Sequence, residues 1–457
     1  MDLYLKSLQL ILRHQLYYLI HKKHLPSEIE IVVQDLWSVR ISQIVDKFDE
    51  ENQEMHSSQG FGTETSDSET EAEHDSLSVK TRDKKLKQNP TLIDCLALCY
   101  LGAVTLRLPV TPGDIRTWTI EEEMPYWNAI RLIPPTMRNG LLPSLQSSLQ
   151  PNSLLSLKRF YASLTGLQVA FEKKFSIAWP PLNVPVLLFR YLKDLALPLE
   201  LYSATIRLGE IQGFDFAFRA SKTTSYSTKH LPEAHLISCL VICVKAIYPF
   251  DGITCFPRST AEPGATAIDW GEWCKAMKEA KEEARGGRAY HSKEELTNIQ
   301  EKDVFRMSNE QLDQYLDFYL TRFIDDTHLD LHNADDAFHE ALYGMFPVTS
   351  NNAMQTQQQP TDLQNSKKLE LVREVHRRIK GVQVVESGTG QQVPRPGTHY
   401  IAYNKSSLPE YARVFYEEAA RVAGLTYEML IQSVGAIERK IARDKSRGKH
   451  IRSNLDD

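Results

Sequence analysis

The stretch DDTHLDLHNADD, residues 325–336, comes nearest to a set of metal ligands in this chain. Oxygen and imidazole ligands at such short spacing could hold a divalent cation. A solvated acidic helix end has this composition more often, and His21 and His24 have no second pair of ligands beside them. We therefore predict no metal site. The residues weighed for that role are Asp325, Asp326, His328, Asp330, His332 and Asp335.

Other patterns for catalysis are weaker still. The GTG at residues 388–390 is not followed by the Lys-Ser or Lys-Thr of a phosphate-binding loop. No arrangement of Ser, His and Asp stands out as a nucleophile with its base. We expect no catalytic residue, no cofactor-binding residue and no small-molecule substrate.

The cysteines are placed like packing residues. Four of them lie one helical turn apart in two apolar segments, where thiols act as small hydrophobic groups. No C-x-x-C pair occurs, so a zinc ribbon is not encoded here. Free thiols fit a reducing compartment, either cytosol or nucleus. The six are Cys95, Cys99, Cys239, Cys243, Cys255 and Cys274.

Two basic clusters could bind phosphate, which requires grouped Lys and Arg that release counterions. The net charge is −6, so contact with DNA has to be local. Neither cluster has interleaved aromatics, which predicts weakly sequence-specific contact with the backbone, and a solvated tail is the alternative. The first consists of Lys80, Arg82, Lys84, Lys85 and Lys87. The second consists of Arg439, Lys440, Arg443, Lys445, Arg447 and Lys449, with Arg452.

Three hydroxyl residues precede the first basic cluster in an acidic segment. Ser66, Ser68 and Thr70 each have an acidic residue three positions later, which suits an acidophilic kinase. Phosphates there would compete with DNA for the cluster that follows. The same pattern is common in acidic disordered segments without any such role.

Two segments, residues 92–105 and 234–249, are apolar on every side. A helix of that kind is surrounded by other helices, and segments of 14 and 16 residues are too short to cross a bilayer, which needs roughly 17 to 25. The segments therefore predict two helical bundles in tandem and no membrane span. Thr111 and Asp114 form a capping box for the helix after the first segment, and Ser308 and Gln311 begin a later one.

The fold class predicted is all-α, with two tandem helical domains and a smaller helical C-terminal region. The first domain spans 1–165, interrupted by a disordered acidic and basic insertion at 49–88. The second spans 168–330 and carries a charged, solvated insertion at 257–300. The third region, 331–457, has a polar linker at 350–367 and a basic tail. Trp118, Tyr126 and Trp127 are interpreted as core residues in preference to interface residues.

Several blocks in order resemble the transcription factor IIB-like subunit of the RNA polymerase I core factor. Its animal counterpart is the B-type TBP-associated subunit of the promoter selectivity factor. The resemblance covers roughly residues 3–255 through the blocks LPSEIEIVVQDLWSVRI, LIDCLALCYLGAVTLRLPVTPGDIRTW, MPYWNAIRLIP, WPPLNVPVLLFRYLKDLALPLELY and KAIYPFDGI.

The resemblance implies two cyclin-like domains of about five helices each. It also implies a role in pre-initiation complex assembly at the ribosomal DNA promoter, in the nucleus and nucleolus. The partners implied are other core factor subunits, TBP, RNA polymerase I and promoter DNA.

The chain departs from this family in one respect. The family normally carries one zinc in an N-terminal ribbon, and the cysteine spacing here does not provide it. We expect no zinc in this chain, whether the ribbon has been lost or lies upstream of Met1, and contact with the polymerase is the less secure inference. Three alternatives stay open: a cyclin-type regulator of a protein kinase, a helical scaffold without a nucleic-acid role, and an enzyme using the 325–336 cluster.

Overall fold

The computed structural model describes residues 2–58, 89–151, 153–218, 231–253, 255–284, 291–323, 360–385, 394–398 and 400–453. Helices dominate these residues. The only β structure among them is one antiparallel pair, in which β1 (Thr266–Ala267) faces β2 (Lys380–Gly381). This agrees with the all-α prediction.

The first bundle surrounds one central helix. That helix, α3, is contacted by α1, α2, α4 and α7, and nearly all of its side chains are buried. These side chains are buried because α3 is apolar on every face and each face packs against a neighbouring helix. The helices of this part are α1 (Asp2–His21), α2 (Glu28–Ser58), α3 (Leu92–Thr105), α4 (Pro112–Ile120), α5 (Pro135–Asn139), α6 (Pro143–Ser148) and α7 (Leu157–Phe175).

The second bundle also surrounds one central helix, but its chain is discontinuous. The helices α8 (Val184–Asp194), α9 (Glu200–Ile211) and α10 (Pro232–Ile247) come first. The bundle is completed only by the last two helices of the chain, which both pack on α10. Between them lies an inserted segment of about 160 residues. The predicted separate C-terminal region is therefore wrong for these two helices, whose apolar faces fill the second core.

The inserted segment adds its own helices after β1. They are α11 (Trp270–Ala284), α12 (Lys293–Asn298), α13 (Glu301–Val304), α14 (Asn309–Phe323) and α15 (Pro360–Arg377). The two helices that close the second bundle are α16 (Glu410–Ala423) and α17 (Tyr427–Ser453).

The prediction of a solvated insertion at 257–300 is wrong for α11. Its apolar residues Trp270, Trp273, Cys274 and Met277 follow a helical i, i+3, i+4, i+7 pattern and are buried. The Trp273 indole donates to the carbonyl of Leu195 at 2.9 Å. The charged side of α11 faces outward, so its high charge concealed an amphipathic helix.

Two predicted boundaries also differ from the structure. The limit at 165–168 falls inside α7, which is continuous to Phe175 and packs on α3. The backbone of α2 stays helical to Ser58, whereas the sequence predicted disorder from residue 49. The remainder of that predicted insertion, 59–88, lies outside the described residues.

The predicted helix starts are confirmed. Thr111 accepts a hydrogen bond from the amide of Asp114, and the Asp114 carboxylate accepts one from the amide of Thr111. Ser308 and Gln311 make the same reciprocal pair at the start of α14. Asp114 also receives both terminal nitrogens of Arg190 from α8, so the cap of α4 becomes a contact between the bundles.

The bundles meet through backbone as well as side chains. Gly113 in α4 lies against Gly424 at the end of α16, and a Cβ atom on Gly113 would sit 2.6 Å from the Arg421 carbonyl oxygen. Gly424 has a φ of +74°, and a Cβ atom there would overlap the backbone of Gly113. Thr111 donates to the Val422 carbonyl at 3.2 Å beside this contact. The sequence offered no sign that these two glycines meet.

We predict that Gly424→Ala destabilises the protein far more than Gly213→Ala. Gly213 has a similar φ of +66° with open space around it, so alanine there costs about 1 kcal/mol of backbone strain. At Gly424 the overlap adds about 1–3 kcal/mol, because backbone must move. Urea unfolding of the two variants measures the difference, and equal midpoints would contradict the close approach.

Candidate nucleic-acid and partner interface

The second predicted basic cluster begins where α17 leaves the core. The apolar side of α17, with Leu430, Val434 and Ile437, packs on α10. One turn further on, Arg439 and Arg443 are exposed on the outer side. Two guanidinium groups four residues apart on an exposed helix face can reach the same phosphate backbone.

Lys440 differs from its neighbours. Its ammonium donates to the backbone carbonyl of Gln212 at 2.6 Å and lies 4.8 Å from the centroid of the Phe214 ring. The side chain therefore ties α17 to the loop after α9. Its position in a basic run gave no sign of this role, because the aromatic partner is more than 200 residues away in sequence.

Several sequence predictions lie outside the described residues. The backbone of α17 is helical to Ser453, but the side chains of Lys445, Arg447 and Lys449 are not described. The same holds for the first basic cluster and for Ser66, Ser68 and Thr70. Residues 325–336 and 388–390 also fall outside. All of these stay predictions.

The thiols are packing groups, as predicted. Cys95, Cys99, Cys239 and Cys243 are buried and unpaired. Burial raises the pKa of Cys239 to about 12 and that of Cys243 to about 11. A thiol that stays protonated at neutral pH is a poor nucleophile and a poor metal ligand.

Within the described ranges, no group of three His, Cys, Asp or Glu side chains is placed to hold a metal ion. No helix in that part of the chain is both long and apolar enough to span a bilayer.

The three aromatic residues interpreted as core residues lie against the core of the first bundle. Tyr126 is buried, and Trp118 and Trp127 are half-buried.

The two central helices touch each other. Tyr100 of α3 donates its hydroxyl to the carboxyl of Glu233 in the first turn of α10. Both side chains are fully buried. The other carboxyl oxygen of Glu233 and the hydroxyl of Tyr191 have no hydrogen-bond partner within the described residues.

Burial raises the pKa of Glu233 to about 7, although hydrogen bonds from Tyr100 and from the backbone act in the opposite direction. The cause is the loss of hydration of a carboxylate in an apolar interface. The contact between the bundles is therefore most stable when the Glu233 carboxyl group is neutral.

Charged pairs hold the inserted segment against the second bundle. Lys281 of α11 pairs with the buried Glu418 of α16. Lys368 of α15 reaches Asp194 at the end of α8 at 2.8 Å. Tyr400, just before α16, donates to Glu438 at 2.5 Å, and Lys245 pairs with the same carboxylate. The segment thus has a defined place against the second bundle.

Comparison with known families matches both halves of the chain. The model described as "Rrn7/TAF1B, N-terminal cyclin domain" matches residues 8–135. The model described as "Rrn7/TAF1B, C-terminal cyclin domain" matches residues 153–323. Together they span well over half of the 457 residues. The two bundles are therefore cyclin domains in tandem, as the sequence resemblance predicted.

Relatives of the same kind occur in fungi and plants. The RNA polymerase I-specific transcription initiation factor rrn7 of Schizosaccharomyces pombe is 22% identical over 383 residues, 79% of this chain and 69% of that protein. The corresponding factor RRN7 of Saccharomyces cerevisiae is 26% identical, over 47% of this chain and 35% of its own length. A TATA box-binding protein-associated factor of RNA polymerase I from rice, Oryza sativa, is 22% identical, over 54% of this chain and 40% of its own length.

One solved structure matches along nearly the whole chain. It is a chain in the crystal structure of the S. cerevisiae core factor, with a TM-score of 0.53 and 15% sequence identity. The match covers 97% of this chain and 98% of that one. At this identity the likeness concerns the fold, and it includes the inserted segment as well as the two bundles.

We predict that Glu233→Gln changes how stability depends on pH. The folded pKa is about 7 and the unfolded value about 4.3, so folding favours the protonated form. The neutral Glu233 carboxyl group makes its full contribution to the free energy of unfolding below the unfolded pKa. This contribution is lost as pH rises through the folded pKa. At pH 8 the wild type therefore bears a cost of about 4 kcal/mol that the glutamine variant lacks.

Urea unfolding at pH 5, 6, 7 and 8 measures this effect. The stability of Glu233→Gln relative to wild type should rise from pH 5 to pH 8. The exposed Glu210 on α9 provides the matched control, because Glu210→Gln should show no such trend. A difference between Glu233→Gln and wild type that is the same at every pH would contradict the assignment.

Proposed function

The chain belongs to the Rrn7/TAF1B family, and we propose that it serves as the transcription factor IIB-like subunit of an RNA polymerase I core factor. The observation that carries this proposal is the match of both cyclin domain models, in order, to residues 8–135 and 153–323. The relatives named as polymerase I initiation factors support it. The work of such a subunit is assembly of a pre-initiation complex at the ribosomal DNA promoter, in the nucleus and its nucleolus.

The chain acts by binding rather than by catalysis in this proposal, and it uses no cofactor of its own. The family is one of initiation factors. The thiols with raised pKa values give no support to a nucleophile. What the fold offers instead is a pair of docked helical bundles with a third body, the inserted segment, beside the second one.

The proposed partners are other core factor subunits, TBP, RNA polymerase I and promoter DNA. A subunit with these partners needs several separate surfaces held at fixed angles. The buried contact of Tyr100 with Glu233 and the paired Asp114 and Arg190 supply that rigidity. Arg439 and Arg443 supply one surface for the DNA backbone.

Depletion and reconstitution test the function. A nuclear extract depleted of this protein should lose transcription from a ribosomal promoter and keep transcription from an RNA polymerase II promoter. Adding back the purified chain with its co-purifying subunits should restore it. Recovery of a stoichiometric protein kinase, with no effect on ribosomal transcription, would instead support a cyclin-type regulator.

We predict different effects for neighbouring cations of α17. The double variant Arg439→Ala/Arg443→Ala should weaken binding to duplex DNA and lower the slope of log K against log salt by about 0.9 for each phosphate that is no longer neutralised. Its melting temperature should fall less than that of Lys440→Ala, because both side chains are exposed and the hydrogen bond from Arg443 to the Arg439 carbonyl lies within α17.

Lys440→Ala is the matched comparison in the same helix. It should lower the melting temperature, because it removes the hydrogen bond to Gln212 and the contact with the Phe214 ring. It should change the salt slope by less than half as much as the double arginine variant does. If Lys440→Ala instead lowers the slope by as much per cation as the arginine variant does, Lys440 binds phosphate and the assignment is contradicted.

A further inference from the structure

Acidic residues are few in α1 and in the short turns beside it. The net charge of the chain is −6, yet α1 contains a single acid, Asp2. Residues 124–151, which supply those turns, contain no Asp or Glu. Two of the acids just before them are engaged, because Glu123 pairs with Lys23 and Glu122 with Lys293. Positive charge near α1 therefore has few free acidic neighbours.

The outer face of α1 concentrates this charge. The inner face, with Leu8, Ile11, Leu12 and Leu16, is buried in the core. The exposed side chains on the outer face and in the turn that follows form what we name the α1 basic face. Its members are Arg13, His14, Tyr17, His21 and Lys22.

The spacing aligns these groups along the helix. Arg13, Tyr17 and His21 succeed one another at i, i+4, so they form one row about 12 Å long. The Tyr17 ring is 60% exposed and lies 4.3 Å from the His21 ring, centroid to centroid. The Tyr17 ring is therefore exposed beside Arg13 and His21 and is not part of the hydrophobic core.

The cations of this face are not neutralised within the described residues. Lys6 pairs with Asp2, and Lys23 pairs with Glu123, each at 2.8 Å. By contrast, no ion pair involving Arg13 or Lys22 occurs in the part of the chain that the structure describes. Asp2 and Glu123 are therefore already engaged, and Arg13 and Lys22 keep their charge.

We propose that the α1 basic face binds the phosphate backbone of duplex DNA. This inference rests on the proposed function, because it assumes that the chain works on promoter DNA, and it adds a contact on the first bundle to the one at α17. Arg and Lys release counterions when they meet phosphates, and a Tyr hydroxyl can donate to a phosphate oxygen. A protein partner is kept as an outcome of the test, because arginine and tyrosine are also enriched at protein interfaces, although lysine is depleted there.

A row of this length fits the backbone better than the bases. One strand of DNA advances about 3.4 Å per nucleotide along the axis, so about 12 Å corresponds to three or four phosphates. Contacts of this kind fix the orientation of a protein on DNA without reading its sequence. The face therefore contributes affinity and position, and promoter specificity comes from elsewhere.

The test uses the full chain assembled with its co-purifying subunits and a ribosomal promoter fragment. Arg13→Ala/Lys22→Ala should lower affinity several-fold and reduce the slope of log K against log salt by about 1.8, which is 0.9 for each of two phosphates that are no longer neutralised. The loss should be equal on a non-promoter duplex of the same length. Tyr17→Phe, which removes only the hydroxyl, should weaken binding without changing the slope.

Arg413→Ala in α16 is the matched control. It removes one exposed cation that is already paired with Glu417 at 3.0 Å, so it should leave the slope unchanged. Equal melting temperatures of wild type and the double variant confirm that folding is intact, because both replaced side chains are exposed.

The outcomes separate this inference from the proposed function. If wild type binds DNA and the double variant binds equally well with the same slope, the inference is overturned and the proposed function stands. If the double variant instead loses a partner subunit and keeps its DNA slope, the face binds protein and the inference is again overturned. If wild type neither binds DNA nor supports ribosomal transcription, both proposals fail.

Discussion

The structure depends on the desolvated contact between the two central helices. Tyr100 and Glu233 meet where α3 and α10 approach each other, and neither side chain reaches solvent. Around this point Gly113 lies on Gly424, and Arg190 holds the carboxylate that caps α4. Burying a carboxyl group is unfavourable unless it is neutral or hydrogen-bonded. The relative orientation of the bundles is thus set by polar groups that fit in one arrangement only.

That constraint bears directly on a binding function. A subunit that joins DNA to several proteins acts through the geometry of its surfaces, since it forms no covalent bond with any of them. The α1 basic face lies on the first bundle, and Arg439 and Arg443 lie on the second. A rigid contact between the bundles keeps the two proposed phosphate-binding surfaces at a fixed separation.

Local signals in the sequence were enough for part of this picture. The apolar segments at 92–105 and 234–249 predicted both central helices, and the pairs Thr111 with Asp114 and Ser308 with Gln311 predicted two helix starts. These features depend on residues within a few turns of one another. The partners of a helix depend on distant residues instead, so the packing of α16 and α17 on α10 was missed. Lys440 was grouped with phosphate ligands for the same reason, because Gln212 and Phe214 are remote in sequence.

The discontinuity of the second bundle has a consequence for biosynthesis. At about 5–20 residues per second, the ribosome needs on the order of ten to thirty seconds to proceed from the end of α10 to the start of α16. During that interval the apolar surface of α10 that α16 and α17 later cover has no covering. The nascent chain therefore passes through an aggregation-prone intermediate in which the first bundle is complete and the second is not. The order of the helices along the chain, and not the stability of the finished fold, determines how long this surface stays open to chaperones or to aggregation.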